Sequence, residues 1–293
     1  MKTTRRYFCW TTLGLLLLPS AEILRAEDSD PAFRDEPDLM AGFRHLYEQR
    51  FEESRKIFTK WSEQHPSEAL GPVTIAASYL FDELYKKGVL TSEFFMDDKK
   101  FLKGIEGKPD PDLMKGFLDN LARGRELAKT RLKEKRKDPG ALFCITLAAG
   151  MESNANSMLF KKPLDALKRM KEANEHAKLL LAQRPDAQDA WVALGSANYI
   201  IGSLSPGFRM LLWFGNVHGD KELGMQQTEK AAINGRYLRP FAKILLALAA
   251  RREKQVPLAR KMLKELTQEF PGSTSFAAEY KKALDAPVAA VKS

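Results

Sequence analysis

Apolar residues recur at helical spacing along most of the chain and predict an all-α protein. The long segments are rich in Ala, Leu, Lys and Glu, which are good helix formers. Valine and isoleucine are scattered, and the alternating apolar and polar runs that are typical of strands are missing from the sequence. The pattern therefore predicts helices joined by turns and loops, without a sheet.

Proline residues interrupt this pattern at four sites of the same kind. An amphipathic stretch ends in a short polar segment with a proline, and another apolar stretch begins at once. Because proline cannot continue a helix but suits the first turn of the next one, each site marks a turn between two helices. These turns are centred on Pro66, Pro139, Pro185 and Pro271.

The residues around these prolines resemble the tetratricopeptide repeat (TPR), a hairpin of a first helix A and a second helix B. Trp191-x2-Leu194-Gly195, with Tyr199 one place late, is similar to helix A of that repeat. Small residues let the two helices approach closely, and large ones fill the space between them. Residues of both kinds precede two of the prolines in frame: Gly42, Ser54, Phe58 and Trp61 before Pro66, and Ala259, Leu263 and Leu266 before Pro271.

The resemblance implies an α-α superhelix, a TPR-like solenoid of about ten or eleven helices, because one hairpin cannot bury its apolar face alone. We expect the solenoid to cover residues 27–284, with residues 273–284 as a capping helix. Residues 285–293 are expected to form a flexible tail.

The prolines are unevenly spaced, which indicates loop inserts within the repeats. The inserts are expected at residues 87–112, 156–163 and 202–219, each between helix A and helix B of one unit. Inserts in such arrays collect on one face, which is often the binding face.

The A helices of this repeat class form a concave groove, and this places a candidate protein-binding site. The expected ligand is an extended or helical peptide of a protein partner, so we expect a non-catalytic scaffold for protein–protein interaction. The alternative is a helical protein that binds a small molecule or lipid in a pocket closed by the inserts. The predicted groove residues are Tyr79, Ser153, Asn154, Ser196, Tyr199, Leu248 and Arg251.

The insert at residues 202–219 is unusually apolar and forms a second candidate site, the insert patch. Three interpretations are open: the patch packs over the solenoid as core, it binds a partner, or it contacts a membrane surface. The run is too short to span a membrane. The insert patch consists of Phe208, Leu211, Leu212, Trp213 and Phe214.

Residues 195–236 also resemble, more narrowly, the tetratricopeptide-containing family of eukaryotic inclusion-body clearance proteins. The similarity lies in a Gly-rich apolar insert that precedes Gly219-Asp220-x3-Gly224 and a helix. This resemblance implies a scaffold and supplies no catalytic residue.

The first residues predict a signal peptide at residues 1–26. A basic segment with Arg5 and Arg6 precedes a short apolar run at residues 11–18. Cleavage after Ala26 or Ala21 fits, and residues 4–8 resemble the twin-arginine export signature. Twin-arginine export, general export and an uncleaved anchor stay open; we expect an exported protein, periplasmic or extracellular.

The net positive charge is smaller when the predicted signal peptide is left out. The net charge is +9, and residues 1–26 hold four cations and one carboxylate, so the remainder carries +6. The densest basic run, residues 131–137, is interpreted as a solvated helix end, where cations suit the helix dipole. We therefore expect no nucleic-acid partner, while peripheral membrane contact stays open.

The sequence offers no recognisable catalytic chemistry. Cys144 is the one cysteine outside the signal segment and lies in an apolar stretch, so a buried inert thiol is expected. The four histidines lack metal-ligand spacing, and phosphate-binding and nucleophile motifs are missing. Asp110 and Asp112 are interpreted as the start of a helix, with an acidic residue at the N-cap. We therefore predict no metal, no cofactor and no enzymatic activity.

Overall fold

The computed structural model describes residues 30–89, 91–96, 104–204, 206 and 218–286, and these residues fold as helices without strands. The α-helices are α1 (Pro37–Tyr47), α2 (Phe51–Gln64), α3 (Leu70–Lys86), α4 (Ser92–Met96), α5 (Pro111–Glu134), α6 (Pro139–Met158), α7 (Pro163–Gln183), α8 (Trp191–Ser203), α9 (Lys221–Asn234), α10 (Arg239–Arg252), α11 (Val256–Glu269) and α12 (Thr274–Asp285). The predicted signal peptide, the insert patch and residues 287–293 lie outside the described residues.

The helices pack in pairs that are adjacent in sequence, as an all-α superhelical arrangement requires. Helices α1, α3, α6, α8, α10 and α12 are the A helices, and α2, α5, α7, α9 and α11 are the B helices. The A helices α3, α6, α8 and α10 also contact one another in succession, and residues of all the A helices line the cavity between them, so they form the inner layer. The predicted all-α class is confirmed, with eleven long helices and the short α4 in the described part of the chain.

Local sequence signals set where several helices begin. The Asp110 carboxylate accepts hydrogen bonds from the backbone N–H groups of Asp112 and Leu113, at 2.9 and 3.1 Å, at the start of α5. The helix start predicted there is confirmed, and the predicted capping helix is α12. Further N-caps of this kind are Asp138, Asp220 and Ser273.

Small residues bring the paired helices together. A Cβ added at Gly195 would lie 2.4 Å from the Thr228 hydroxyl, and one at Gly224 would lie 2.4 Å from the backbone nitrogen of Tyr199. Helices α8 and α9 therefore touch backbone to backbone, as the small residues of a helical hairpin predict.

The two tryptophans of the repeat pattern have different environments. Trp61 is 1% exposed, and its indole N–H donates to the Glu36 carboxylate at 3.0 Å. Trp191, which the sequence predicted as the core tryptophan of its unit, is only partly buried, and the Lys230 ammonium lies 4.2 Å from its ring. Trp61 therefore anchors the core, and Trp191 covers its edge.

The superhelix closes on itself, because its first unit contacts its last ones. The Phe43 ring of α1 stacks on Tyr237, with centroids 4.9 Å apart, and the Tyr47 hydroxyl donates to the Tyr237 carbonyl at 2.8 Å. Phe81 of α3 meets Phe241 of α10 edge to face at 5.6 Å. These contacts enclose a space between the A helices, which we call the lumen.

One end of the lumen, the turn end, carries the connections from B helices to A helices. Residues 30–36, the N-terminal strap, cross this end. The Tyr237 hydroxyl donates to the Pro31 carbonyl at 2.7 Å, and Arg236 donates to the Arg34 carbonyl at 2.6 Å. The strap is fixed by these two bonds to its backbone and also by its side chains, since Asp30 pairs with Arg131 at 3.2 Å and Phe33 packs against Phe143.

The opposite end, the insert end, carries the connections from A helices to B helices. In the chain, the three predicted inserts follow α3, α6 and α8, which end here. The first insert folds inward, so that α4 packs on α10 and the Ile105 N–H donates to the Met158 carbonyl at 2.9 Å. The first insert thereby covers part of the insert end.

Candidate functional site

The lumen is the candidate functional site. It is a cavity of about 410 Å³ lined by residues from the A helices together with α4 and a few B-helix residues. Its walls are mainly half-buried aliphatic and aromatic side chains, which are shielded from bulk water without being packed on every side. These wall residues are Ala77, Phe81, Leu147, Met151, Ala193, Ile200, Ile244, Leu245 and Leu248.

The hydroxyl groups of the lumen wall donate to backbone carbonyls. Ser153 donates to Ala166 at 2.9 Å, and Ser196 donates to Val192 at 2.7 Å. A hydroxyl whose proton is used in this way has no O–H left to donate to a ligand, while its oxygen can still accept a hydrogen bond. Three threonines on the wall behave likewise: Thr74 (to Gly71), Thr146 (to Leu142) and Thr228 (to Gly224), each at 2.8 Å.

Most of the predicted groove residues come together in the lumen. Six of them line it: Ser153, Asn154, Ser196, Tyr199, Leu248 and Arg251. The seventh, Tyr79, packs between other helices, with its ring 4.7 Å from the Arg55 guanidinium and against Gly116 of α5. The inner surface of the A helices is therefore the wall of this partly open cavity, and Tyr79 faces away from it.

The insert end of the lumen is polar and charged. Arg251 and Arg252 end α10, and both line the cavity. Arg251 pairs with Glu279 of α12 at 3.4 Å, and Arg252 donates to the Phe95 carbonyl of the first insert at 2.5 Å. The lumen thus has cationic side chains at its insert end and aliphatic walls further in.

Tyr199 stands between the polar end and the apolar wall. Its hydroxyl donates to the Glu253 carboxylate at 3.2 Å. Burial, together with the negative charge of Glu253, raises the pKa of Tyr199 to about 12. The phenol is therefore protonated at neutral pH, and its one O–H is used by Glu253.

Asp189 is the charged residue of the turn end, and its role there is structural. Its carboxylate accepts backbone N–H groups of Arg236, Tyr237 and Leu238, at 2.8, 2.9 and 3.2 Å. Burial raises the pKa of Asp189, and the three amide hydrogen bonds oppose this rise. The residue ties the start of α8 to the turn that carries Tyr237.

Sequence reasoning missed two parts of the site. Val89, Ser92 and Phe95 of the first insert line the lumen, although the sequence marked them only as insert. The apolar lining residues of α6 and α8, such as Leu147 and Ile200, were also missed. A signal was present, because residues 139–150 and 191–203 are apolar on all sides, and such a helix buries both faces.

The described residues hold no group of three or more His, Cys, Asp and Glu side chains placed to bind a metal ion. Cys144 is buried as expected, and burial, with the nearby carboxylates of Asp30 and Glu68, raises its thiol pKa well above the usual value. Within the described ranges, no helix combines the length and the apolar character that a membrane crossing needs.

No protein-family model and no curated protein matches this sequence. The function is therefore argued from the lumen itself.

Proposed function

We propose that this protein binds a small apolar or amphipathic molecule in the lumen and does not catalyse a reaction. The observation that carries the proposal is the partly open cavity of about 410 Å³ with mainly apolar walls. Ligand sites of roughly 300–1,000 Å³ with apolar walls and a few placed polar groups are typical of small-molecule binding. This is the pocket function that the sequence analysis held as the alternative.

The chemistry of the wall favours such a ligand over an extended peptide. A peptide brings a backbone N–H and C=O with nearly every residue, and each needs a partner when it leaves water. The wall hydroxyls of Ser153 and Ser196 donate to the protein's own backbone. The contacts between Phe43 and Tyr237 also close the groove that a peptide would follow. An alkyl chain needs no hydrogen-bond partners and suits these walls.

The proposal also covers the type of helical repeat and the cellular location of the protein. We interpret the helix pairs as TPR-type repeats, on the residue pattern around Trp191 and the prolines at the B-to-A turns. We further propose export to the periplasm or the cell exterior, on the basic and apolar segments of residues 1–26. An exported carrier of an apolar molecule would keep that molecule out of water between two membranes or surfaces.

A protein-binding scaffold is the second candidate, and exposed apolar side chains on the B helices favour it. Leu164 of α7 is 81% exposed and Ile233 of α9 is 63% exposed. Large apolar side chains on an outer surface are typical of contact with another protein.

The direct test is extraction and probe binding on the purified protein. Organic extraction followed by mass spectrometry is expected to yield an apolar molecule in near-stoichiometric amount. The stripped protein is then expected to bind the apolar fluorophore N-phenyl-1-naphthylamine saturably, with competition by hexadecanol. If no molecule is extracted and the fluorophore does not bind, while an unstructured peptide does, the scaffold replaces the carrier.

A further inference from the structure

We propose that the ligand of the lumen carries a hydroxyl group, which binds the side-chain amide of Asn154 while the apolar part of the ligand packs on the surrounding wall. This inference rests on the proposed function and adds the chemical class of the ligand and the residue that recognises it. It is carried by an amide that has no hydrogen-bond partner and lies in a mainly apolar part of the cavity wall.

Asn154 lies on the face of α6 that lines the lumen. Met151, Gly150 and Leu147 precede it by three, four and seven residues, and all of them line the cavity. Residues at these spacings share one face of a helix. The Asn154 side chain is half-buried, so it belongs to the wall of the cavity and not to the outer surface of the protein.

The cavity wall leaves room for a ligand beside this amide. A side chain in a helix leans towards the helix N-terminus, over the residue four places earlier, which for Asn154 is Gly150. A Cβ built on Gly150 meets no heavy atom within 4 Å, so the wall has a gap at this point. A group of the ligand can therefore reach the Asn154 amide from the cavity.

The Asn154 amide makes no hydrogen bond within the described part of the chain. The other side-chain amide of the lumen wall in that part, Gln49, donates to the Tyr47 carbonyl at 3.2 Å and to the Ser273 hydroxyl at 2.9 Å. An amide that an apolar molecule covers without replacing its water costs free energy. A ligand that fills the lumen must therefore bring a polar group to Asn154.

A hydroxyl matches the groups that the wall offers at this place. The Asn154 amide has two N–H donors and an accepting oxygen, and a hydroxyl both donates and accepts. A carbonyl or an ether only accepts, so it would leave the amide oxygen without a partner. The hydroxyls of Ser153 and Ser196 have already donated to the backbone and can only accept, which also favours a ligand group that donates.

The charged side chains of the wall already have partners in the protein. The Asp189 carboxylate accepts three backbone N–H groups. Arg251 pairs with Glu279 at 3.4 Å, and Arg252 donates to a backbone carbonyl of the first insert at 2.5 Å. A charged head would compete with these bonds, whereas a neutral hydroxyl at Asn154 displaces none of them.

Hydration is the simpler explanation of this asparagine, because water in a partly open cavity would also satisfy the amide. The two explanations differ in what an apolar side chain of similar size does there. If only water binds the amide, Asn154→Leu makes the wall more apolar and strengthens the binding of every apolar probe alike. If a ligand hydroxyl binds it, Asn154→Leu weakens the binding of an alcohol relative to a matched probe without the hydroxyl.

The test compares 1-decanol, decyl methyl ether and 1-chlorodecane, which share one alkyl chain. Their heads donate and accept, accept only, or do neither. Affinities are measured by displacement of N-phenyl-1-naphthylamine from the stripped protein. For each probe the affinity of wild type is divided by that of Asn154→Leu, so that the hydration of the probe itself cancels. This ratio is expected to be about tenfold larger for 1-decanol than for 1-chlorodecane, the order expected for two neutral hydrogen bonds, with the ether between them.

Asn234→Leu at the exposed end of α9 is the matched control and should change no ratio. Asn154→Ala repeats the comparison with a smaller side chain that fits any packing. Equal ratios for the three probes in both Asn154 variants would overturn the inference and leave the proposed function standing. A ratio for the ether as large as that for 1-decanol would overturn the assignment of a hydroxyl. If no probe binds to wild type, the proposed function fails as well.

Discussion

The two ends of the lumen are built from different kinds of interaction. At the turn end, buried side chains such as Tyr237 and Asp189 bond to backbone groups of other segments. At the insert end, the five-residue α4 is held by the ion pair of Glu93 with Lys282 and by the bond from Arg252 to the Phe95 carbonyl, whose side-chain donors are partly exposed or line the cavity. Backbone-directed bonds among buried groups are costly to break, whereas partly exposed ion pairs contribute little. The turn end is therefore the fixed base, and the insert end is where a ligand would exchange.

The largest expected effect lies at the base. Tyr237→Ala removes a ring that is 1% exposed, together with its hydrogen bond to the strap. The free energy of unfolding is expected to fall by about 3–5 kcal/mol, the range for buried aromatic residues. Urea unfolding followed by circular dichroism measures this.

The matched control is Tyr85→Ala, at a tyrosine that is 42% exposed. Its free energy of unfolding is expected to change much less than that of Tyr237→Ala. Equal losses for the two variants would show that the strap and its contacts do not fix the turn end.

The second effect concerns the carboxylate that ties α8 to the last units. Asp189→Ala leaves three backbone N–H groups without their acceptor. Each buried unsatisfied group costs about 1–3 kcal/mol, less whatever water recovers, so we expect a loss of about 3 kcal/mol. The exposed Asp186, changed to Ala, is the control, and thermal melts of both variants provide the measurement. A loss no greater than that of the control would contradict the structural role of Asp189.

The smallest effect is expected at the insert end. Glu93→Gln removes an ion pair whose partners are 58% and 39% exposed, so the global stability should change by less than about 1 kcal/mol. Hydrogen exchange of the α4 amides is nevertheless expected to accelerate, because this pair ties α4 to α12. Unchanged exchange in α4 would show that other contacts hold the first insert.

The same pair predicts a pH dependence confined to this end. The hydrogen bond from Lys282 lowers the pKa of Glu93 below its usual value. The stabilisation is therefore present above the ordinary carboxyl pKa and is lost as the pH falls through the lower pKa of the folded state. Exchange in α4, corrected for its intrinsic pH dependence, should be more protected at roughly pH 6 than at roughly pH 3. Equal protection at both values would contradict this assignment.

The sequence predicted the individual helices better than it predicted the closure of the superhelix. Helical periodicity, the caps at Asp110 and Ser273 and the turn prolines are local signals, and they located most helices. The contact of Phe43 with Tyr237 joins residues far apart in the sequence, and no periodicity encodes it. The groove was accordingly expected to hold an extended or helical peptide, whereas its residues line a partly open cavity between the A helices.

The predicted site residues show the same difference between local signals and long-range contacts. Six of the seven groove residues line the lumen, because the A-helix periodicity gives the inner face of each helix. Tyr79 does not line the lumen, because it lies on the face of α3 that packs towards Arg55 of α2. Trp191 was expected in the core because of its size. Its position at the N-terminal end of α8, however, leaves its side chain only half-buried. Insert residues such as Phe95 follow no repeat frame, so their place on the wall could not be predicted.

The most direct test of the carrier proposal fills the lumen from Gly150. This glycine of α6 lines the cavity, and a Cβ built there meets no heavy atom within 4 Å. Gly150→Ala is expected to raise the stability by about 0.5–1 kcal/mol, since glycine is unfavourable within a helix. Gly150→Trp is expected to keep the fold and to weaken N-phenyl-1-naphthylamine binding at least about tenfold, the equivalent of about 1.4 kcal/mol. Ala122→Trp on the exposed face of α5 is the matched control and should bind like wild type. A folded Gly150→Trp protein that binds the fluorophore with unchanged affinity would show that the ligand does not occupy the lumen.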